Sequence, residues 1–193
     1  MCNWFRDKSR DKICAGLQSL GVNARMAARG SGDSLGIIDI DDEPISWVDV
    51  RKVVTQHAGG SGYGGGGSST TYYTDYGVRV AYRPPVTTIR SVRRKRFPLV
   101  GKVVDAEWSA NGVDRTGLVA GVLQRLREDG QVREAIMATR DVEITGHSSF
   151  WVITTQTREV PTRQAWDCYP AIARHLIAAE GPTGATQWDR IEV

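Results

Sequence analysis

The stretch Ala58 to Thr71, AGGSGYGGGGSSTT, constrains this chain more than any other segment. Glycine loses the most conformational entropy on ordering, and almost no apolar side chain is present here to offset that loss. The stretch reads as a flexible Gly/Ser/Tyr-rich linker over residues 57–75. The fold class expected is α+β: a small α-β-β-β module over 7–56, a larger mixed α/β module over 76–180, and a tail over 181–193. The alternative is that both halves complete one sheet across the linker. At 193 residues the chain suits one domain or two small ones.

Hydrophobic periodicity supplies the elements on either side. Ile13, Leu17 and Leu20 share a helical face that Ser9 or Asp7 caps, and Gly21 is placed to end the helix. Val22, Ala24, Met26 and Ala28 alternate with polar residues, which predicts a strand with one buried face. Leu35 to Ile40 and Ile45 to Val54 are two further strands, separated by the turn Asp41-Asp42-Glu43-Pro44.

In the second half, Val78, Val80 and Tyr82 alternate until Pro84-Pro85 stops the strand, and Leu99 to Trp108 is another. Asp114 or Thr116 opens a helix whose stripe is Leu118, Val119, Val122, Leu123 and Leu126, with Gly130 just past its end. Val132, Ala135 and Ile136 continue a further helical turn or two. Asp141–Thr145 and Phe150–Thr157 form a hairpin. The second of these strands is apolar on both faces, so the hairpin is expected at the centre. Thr162 caps a last helix, and Pro170 either kinks it or starts it.

An apolar fraction of 40% with 24% charged residues is that of a folded chain rather than a disordered one. No stretch is long and apolar enough to span a bilayer, and the first residues lack the apolar core of a secretory signal. Cys2, Cys14 and Cys168 are too few and too far apart for a disulfide framework or a zinc site. A cytoplasmic, reducing location is the expectation. No metal and no cofactor are expected.

The net charge of +3 is unevenly distributed. Residues 77–103 carry eight Lys/Arg and no acid, whereas residues 104–193 carry nine against thirteen acids. Within the basic block stand Arg79, Arg83, Arg90, Arg93, Arg94, Lys95 and Arg96. Tyr63, Tyr72, Tyr73, Tyr76 and Tyr82 lie in or beside it. Positive charge for a phosphate backbone and rings for stacking are what single-strand nucleic-acid binders use. The candidate nucleic-acid-binding residues are these seven cations with Tyr72, Tyr73 and Tyr76. The plainer reading is a solvated arm, or arginines paired with the acidic C-terminal half.

Two Asp-x-Glu pairs, Asp105/Glu107 and Asp141/Glu143, each place two carboxylates on one side of a strand. Such pairs hold Mg²⁺ or divide acid and base roles. The solvated face of an amphipathic strand is the plainer alternative. Asp39 to Glu43 lacks the spacing of a calcium loop and reads as a charged turn. Cys2 becomes an N-terminal nucleophile if the initiator methionine is removed. His57, His147 and His175 are isolated, although His175 lies two helical turns after Cys168. The polyglycine run lacks the Lys-Ser/Thr and following helix of a phosphate cradle.

Three functional expectations follow. The first is a non-enzymatic binding module that engages nucleic acid, another polyanion or an acidic protein surface through the basic segment, without a membrane partner. The second is a structural protein that self-associates, as a homo-oligomer, or docks into a larger complex. The third is a small carboxylate-dependent hydrolase.

Overall fold

The computed structural model describes residues 7–42, 44–56, 67–96, 101–112, 114 and 116–179. Strand parity organises them. In β3 (Trp47–Gln56) and β4 (Ser68–Arg79), Val48, Val50, Tyr76 and Val78 are at most 1% exposed and point to one side. Trp47, Asp49, Arg51 and Tyr73 point to the other. The apolar side continues through Ile38 of β2 (Ser34–Ile40), Ile153 of β8 (Phe150–Thr155), Ile144 of β7 (Val142–Gly146) and Ile89 of β5 (Thr87–Lys95), all 0% exposed. Trp108 of β6 (Val103–Gly112) is also buried on this side.

The strands form one antiparallel sheet in the order β1-β2-β3-β4-β8-β7-β5-β6, with β1 (Ala24–Arg29) and β6 at its edges. Four helices cover the apolar side. α1 (Ser9–Ser19) packs its Ile13 and Leu17 over β1, β2 and β3. α2 (Leu118–Glu128) and α3 (Gly130–Ala138) lie on β6. α4 (Arg163–Ile177) crosses β4, where Tyr76 stacks on Tyr169 at 4.1 Å and meets Trp166 edge-on at 6.2 Å. The result is a two-layer α+β arrangement with a single core.

The α-β-β-β order of residues 7–56 is as expected, and so is the 142–155 hairpin at the middle of the sheet. The described residues before 57 and after 66 share one sheet and one core, which is the one-sheet alternative. Residues 68–75, read as linker, belong to β4, and Gln56↔Ser68 to Trp47↔Gly77 form ten consecutive rungs with β3. Residues 57–66 lie outside the described residues, as do Leu99, Cys2, His57 and the 181–193 tail.

Several expectations are corrected. Strand β1 buries Ala24 alone, because as an edge strand its far end overhangs the core, and Met26 is 42% exposed. Gly130 lies just past the end of α2, as read, and also opens α3. Asp129 joins the two helices, its carboxylate accepting from the N–H groups of Gln131 at 2.9 Å and Val132 at 3.0 Å. Helix α4 is capped by Thr162 as read, and runs through Pro170 as one helix. The basic segment is strand β5. Its core-facing positions Thr87, Ile89 and Ser91 include one large apolar residue, so little alternation marks it.

Because both halves share one core, Ile38→Ala and Ile144→Ala should each cost about 2–5 kcal/mol and lower the same unfolding transition. Urea denaturation followed by circular dichroism checks this. Two transitions, each moved by only one of the variants, would mean that the halves fold independently.

Candidate functional site

Among the described residues no helix packs on the other side of the sheet. There the open face forms a cleft of about 840 Å³ across β3, β4, β8, β7 and β5. Its size is that of ordinary ligand sites, roughly 300–1,000 Å³.

Parity and register place its side chains. Trp47 lies directly opposite Gly77, and a Cβ at Gly77 would fall 2.0 Å from the indole, so the ring rests on bare β4 backbone. Phe150 meets Trp47 edge-on at 5.9 Å, and His147, from the β7–β8 turn, stacks on Phe150 at 4.9 Å. These three rings form one wall.

The middle of the cleft is ionic. Asp75 is 6% exposed, and donors from both neighbouring strands converge on it. Arg51 grips it with two nitrogens, Nε to Oδ2 and Nη2 to Oδ1, the latter at 3.1 Å. Thr154, its register partner on β8, donates to Oδ1 at 2.7 Å. The Arg51 guanidinium also lies 5.3 Å over the Tyr73 ring. Directly opposite Asp75 stands a second carboxylate, Asp49, which accepts from Ser34 Oγ at 2.7 Å. Like charges facing across a ladder are unfavourable. Burial first, and Asp75 second, raise the Asp49 pKa, against the Ser34 hydrogen bond and the Arg51 charge.

On the far side, β5 lies between the strands that carry both Asp-x-Glu pairs. Arg90 pairs with Glu143 at 2.8 Å, Arg93 with Asp141 at 3.2 Å, and Arg94 with Glu107 at 2.8 Å, while Asp105 takes Arg133 of α3 at 2.8 Å. Both Asp-x-Glu pairs are thus ion-pair partners of arginines. Among the described residues no group of three or more His, Cys, Asp or Glu is arranged to hold a metal ion.

The structure separates the ten residues read as a nucleic-acid surface. Arg79 and Arg83 are exposed near the Phe150 end of the sheet. Lys95 and Arg96 are exposed at the other end, about nine residues or roughly 30 Å away along the strand direction. None of these four makes an ion pair among the described residues. Arg90, Arg93 and Arg94 between them are the paired ones.

The tyrosines divide by parity. Tyr73 faces the cleft. Tyr72 faces the helix side, donates to Asp7 at 2.7 Å and lies 4.7 Å under the Arg158 guanidinium. Tyr76 is 1% exposed in the core and presents no face for stacking, which corrects its assignment. Chain proximity misled here because β8 and β7 lie between β4 and β5.

Cys14 and Cys168 are buried free thiols. Burial, with the charge of Asp129 adding to it, pushes the Cys168 thiol up to about 12, far from a nucleophile's range. His175 is held instead by Asp129, with Nε2 2.7 Å from its carboxylate. No helix among the described residues is long and apolar enough to cross a membrane. No family model matches the chain, and no curated protein or solved structure does.

Trp47, Asp49, Arg51 and Asp75 carry no motif that marks them as site residues, whereas the face of Phe150, Val152 and Thr154 is the alternative partner surface of a strand apolar on both sides. The available signal was the odd-numbered set Trp47, Asp49 and Arg51 on a strand whose even positions are valines.

The raised Asp49 pKa gives a pH prediction. The native state holds this proton to higher pH than the unfolded chain does. The group's contribution to stability therefore falls as pH rises from the ordinary carboxylate range through the folded value. Asp49→Asn keeps an oxygen for Ser34 and removes the charge. Its Tm should exceed that of the wild type at pH 7, and the gain should vanish near about pH 3, where Asp49 is protonated in both states. A lower Tm for Asp49→Asn at pH 7 would refute the assignment.

Proposed function

We propose that this protein is an assembly module that pairs with further copies of itself through the β3–β4 ribbon. One observation carries the reading. β2 reaches along β3 only as far as Ser34↔Arg51, and β8 reaches along β4 only to Thr74↔Thr155. Beyond these, Val53↔Thr71 and Val54↔Thr70 pair with each other and, among the described residues, with no third strand.

At Val53, Val54, Thr70 and Thr71 the ribbon's edges meet no third strand among the described residues, and such edges are templates for strand addition. A two-stranded ribbon alone is marginal in water, and a third strand relieves that weakness. Val54, 51% exposed, gains cover at the same time.

The test is to replace residues 53–71 with Asn-Gly, joining Lys52 to Tyr72, which face each other in register. The wild type should sediment with a mass that rises with concentration. The trimmed variant should be monomeric and unfold within a few degrees of the wild type. A wild type that is monomeric at every concentration would overturn the reading.

A second reading keeps the polyanion partner but confines it. Lys95, Arg96 and Lys102 are exposed and, among the described residues, without ion pairs at one end of the β5–β6 hairpin, where the Arg96 N–H donates to the Lys102 C=O at 3.2 Å. These three cations support contact with a phosphate backbone there. Binding of a labelled single-stranded oligonucleotide should weaken about tenfold between 50 and 200 mM salt, and the triple alanine variant should lose that dependence. Binding indifferent to salt would remove this reading.

A further inference from the structure

The two end strands of the sheet also present edges to a second copy, but in both of them side chains have taken outward backbone groups. On β6 two bonds fix which way each group points. The Arg93 N–H donates toward β7, to Asp141 at 2.9 Å, and the Arg96 N–H donates toward β6, to the Lys102 C=O at 3.2 Å. Even-numbered residues of β5 therefore face β6, and their partners Asp105, Glu107 and Ser109 point inward. Ala106 and Trp108 turn their N–H and C=O groups out of the sheet. The Ala106 N–H donates to Asp105 Oδ1 at 2.6 Å, and Arg133 of α3 holds that same oxygen at 2.8 Å. The Trp108 C=O accepts from Arg127 Nη2 of α2 at 2.9 Å.

At the other end α1 does the same for β1. The Asp41 N–H donates to the Asn23 C=O at 3.0 Å, which turns Asn23 inward and Ala24 outward. The Ala24 N–H is spent on the Val22 C=O at 2.9 Å, and its C=O accepts from Gln18 Nε2 at 2.8 Å. Between Met26 and Arg29 the strand is bulged, and there the Ala28 C=O accepts from Arg10 Nη1 at 3.0 Å. A bulge twists an edge away from a flat partner. An added antiparallel strand exchanges both groups of each outward residue it pairs with. Ala106 and Trp108 have one of the two taken and Ala24 has both, which leaves Met26 and Ala110 as single rungs.

The ribbon differs. The Lys52 N–H donates to the Asp33 C=O on the β2 side at 2.8 Å. Two residues on, Val54 points its groups out of the ribbon, and its register partner Thr70 does so on the opposite edge. Among the described residues nothing bonds to these groups of Val54 and Thr70.

We infer that side chains of α1, α2 and α3 hold both ends of the sheet closed to strand addition, so that a second copy docks at the ribbon and not end to end. Where the copy docks rests on the ribbon reading, whereas the closed ends stand on their own bonds. A capped group must release its side chain before a new strand can use it, which weakens association by up to about tenfold per cap.

The experiment removes one cap at each end, by Gln18→Ala with Arg127→Ala, in the full chain and in the chain with residues 53–71 replaced by Asn-Gly. Both positions are exposed, and circular dichroism should show the parent fold. Gln131→Ala with Arg174→Ala is the matched control, with the same residue types and the same charge change at exposed positions that cap no strand. In sedimentation the ribbon-replaced parent and its control should be monomeric. Its cap-removed form should associate, at concentrations at least about tenfold below any at which the parent does. In the full chain, cap removal should raise the mass above that of the wild type at equal concentration. Should the double variant not fold, Arg127→Met, which keeps the stem over β6, is sedimented instead. The inference is overturned if the folded cap-removed variants sediment like their parents, or if the control associates as they do. A wild type that is monomeric throughout would remove the ribbon reading and leave the closed ends to be judged on the ribbon-replaced pair alone.

Discussion

Strand β4 is the element on which this structure depends, because it alone joins the N-terminal half of the sheet to the C-terminal half. Its ladder to β3 and its ladder to β8 meet at Asp75, where Arg51 from one neighbour and Thr154 from the other converge on one buried carboxylate. One residue later, Tyr76 stacks under α4 on the opposite side. A buried carboxylate whose partners come from both flanking strands ties strand order to charge neutralisation. Loss of Arg51 would leave an uncompensated buried charge, which costs far more than an intact pair contributes, and loss of Thr154 would remove one of the carboxylate's hydrogen bonds. The same two residues mark the division of the sheet at its centre: Tyr76 faces the core and Asp75 faces the cleft.

Much of this was legible in the residues. The helical stripes of Ile13/Leu17 and Val122/Leu126, the cap at Thr162 and the hairpin around Gly146 follow from local periodicity and turn chemistry, which act over a few residues. The illegible parts depend on long-range pairing. The glycine-rich segment suggests a break, yet it connects two strands that lie in perfect register on either side of it. Nothing local reports that Gln56 will face Ser68. Strand β5 was hidden for a related reason: its buried side is Thr87, Ile89 and Ser91, and its exposed side is arginine, so it reads as a charge run until neighbouring strands supply the acids. The site was less legible still, since its residues come from five strands and share only parity.

The basic block illustrates how a count along the chain departs from a field in space. Arg90, Arg93 and Arg94 are consecutive cations in sequence, but in the sheet they are interleaved with Glu143, Asp141 and Glu107 from the strands on either side. The excess acid of the C-terminal half is where the excess base of the middle finds its partners. Exposed pairs of this kind contribute about 0–1 kcal/mol each, so they do little to hold the fold together. Their larger effect is to cancel a surface potential and to favour one strand order over others, since the acids that meet the arginines of β5 stand on or beside its two neighbours.

Cancellation decides how the open face can recognise anything. Arg25 with Asp41, Arg51 with Asp75, Arg90 with Glu143 and Arg94 with Glu107 run across it from one edge strand to the other as neighbouring charges of opposite sign. Alternating charges produce fields that decay within a few ångströms, faster than salt screening alone would remove them. A partner would therefore not be steered to this face from a distance. It would be selected at contact, by rings held in place through close packing on Gly77 and Phe150. Long-range attraction, where the molecule has any, belongs to Lys95, Arg96 and Lys102 at one end of the sheet and Arg79 and Arg83 at the other. Capture at the ends and discrimination on the face are physically separate tasks, and the sheet keeps them roughly 30 Å apart from end to end.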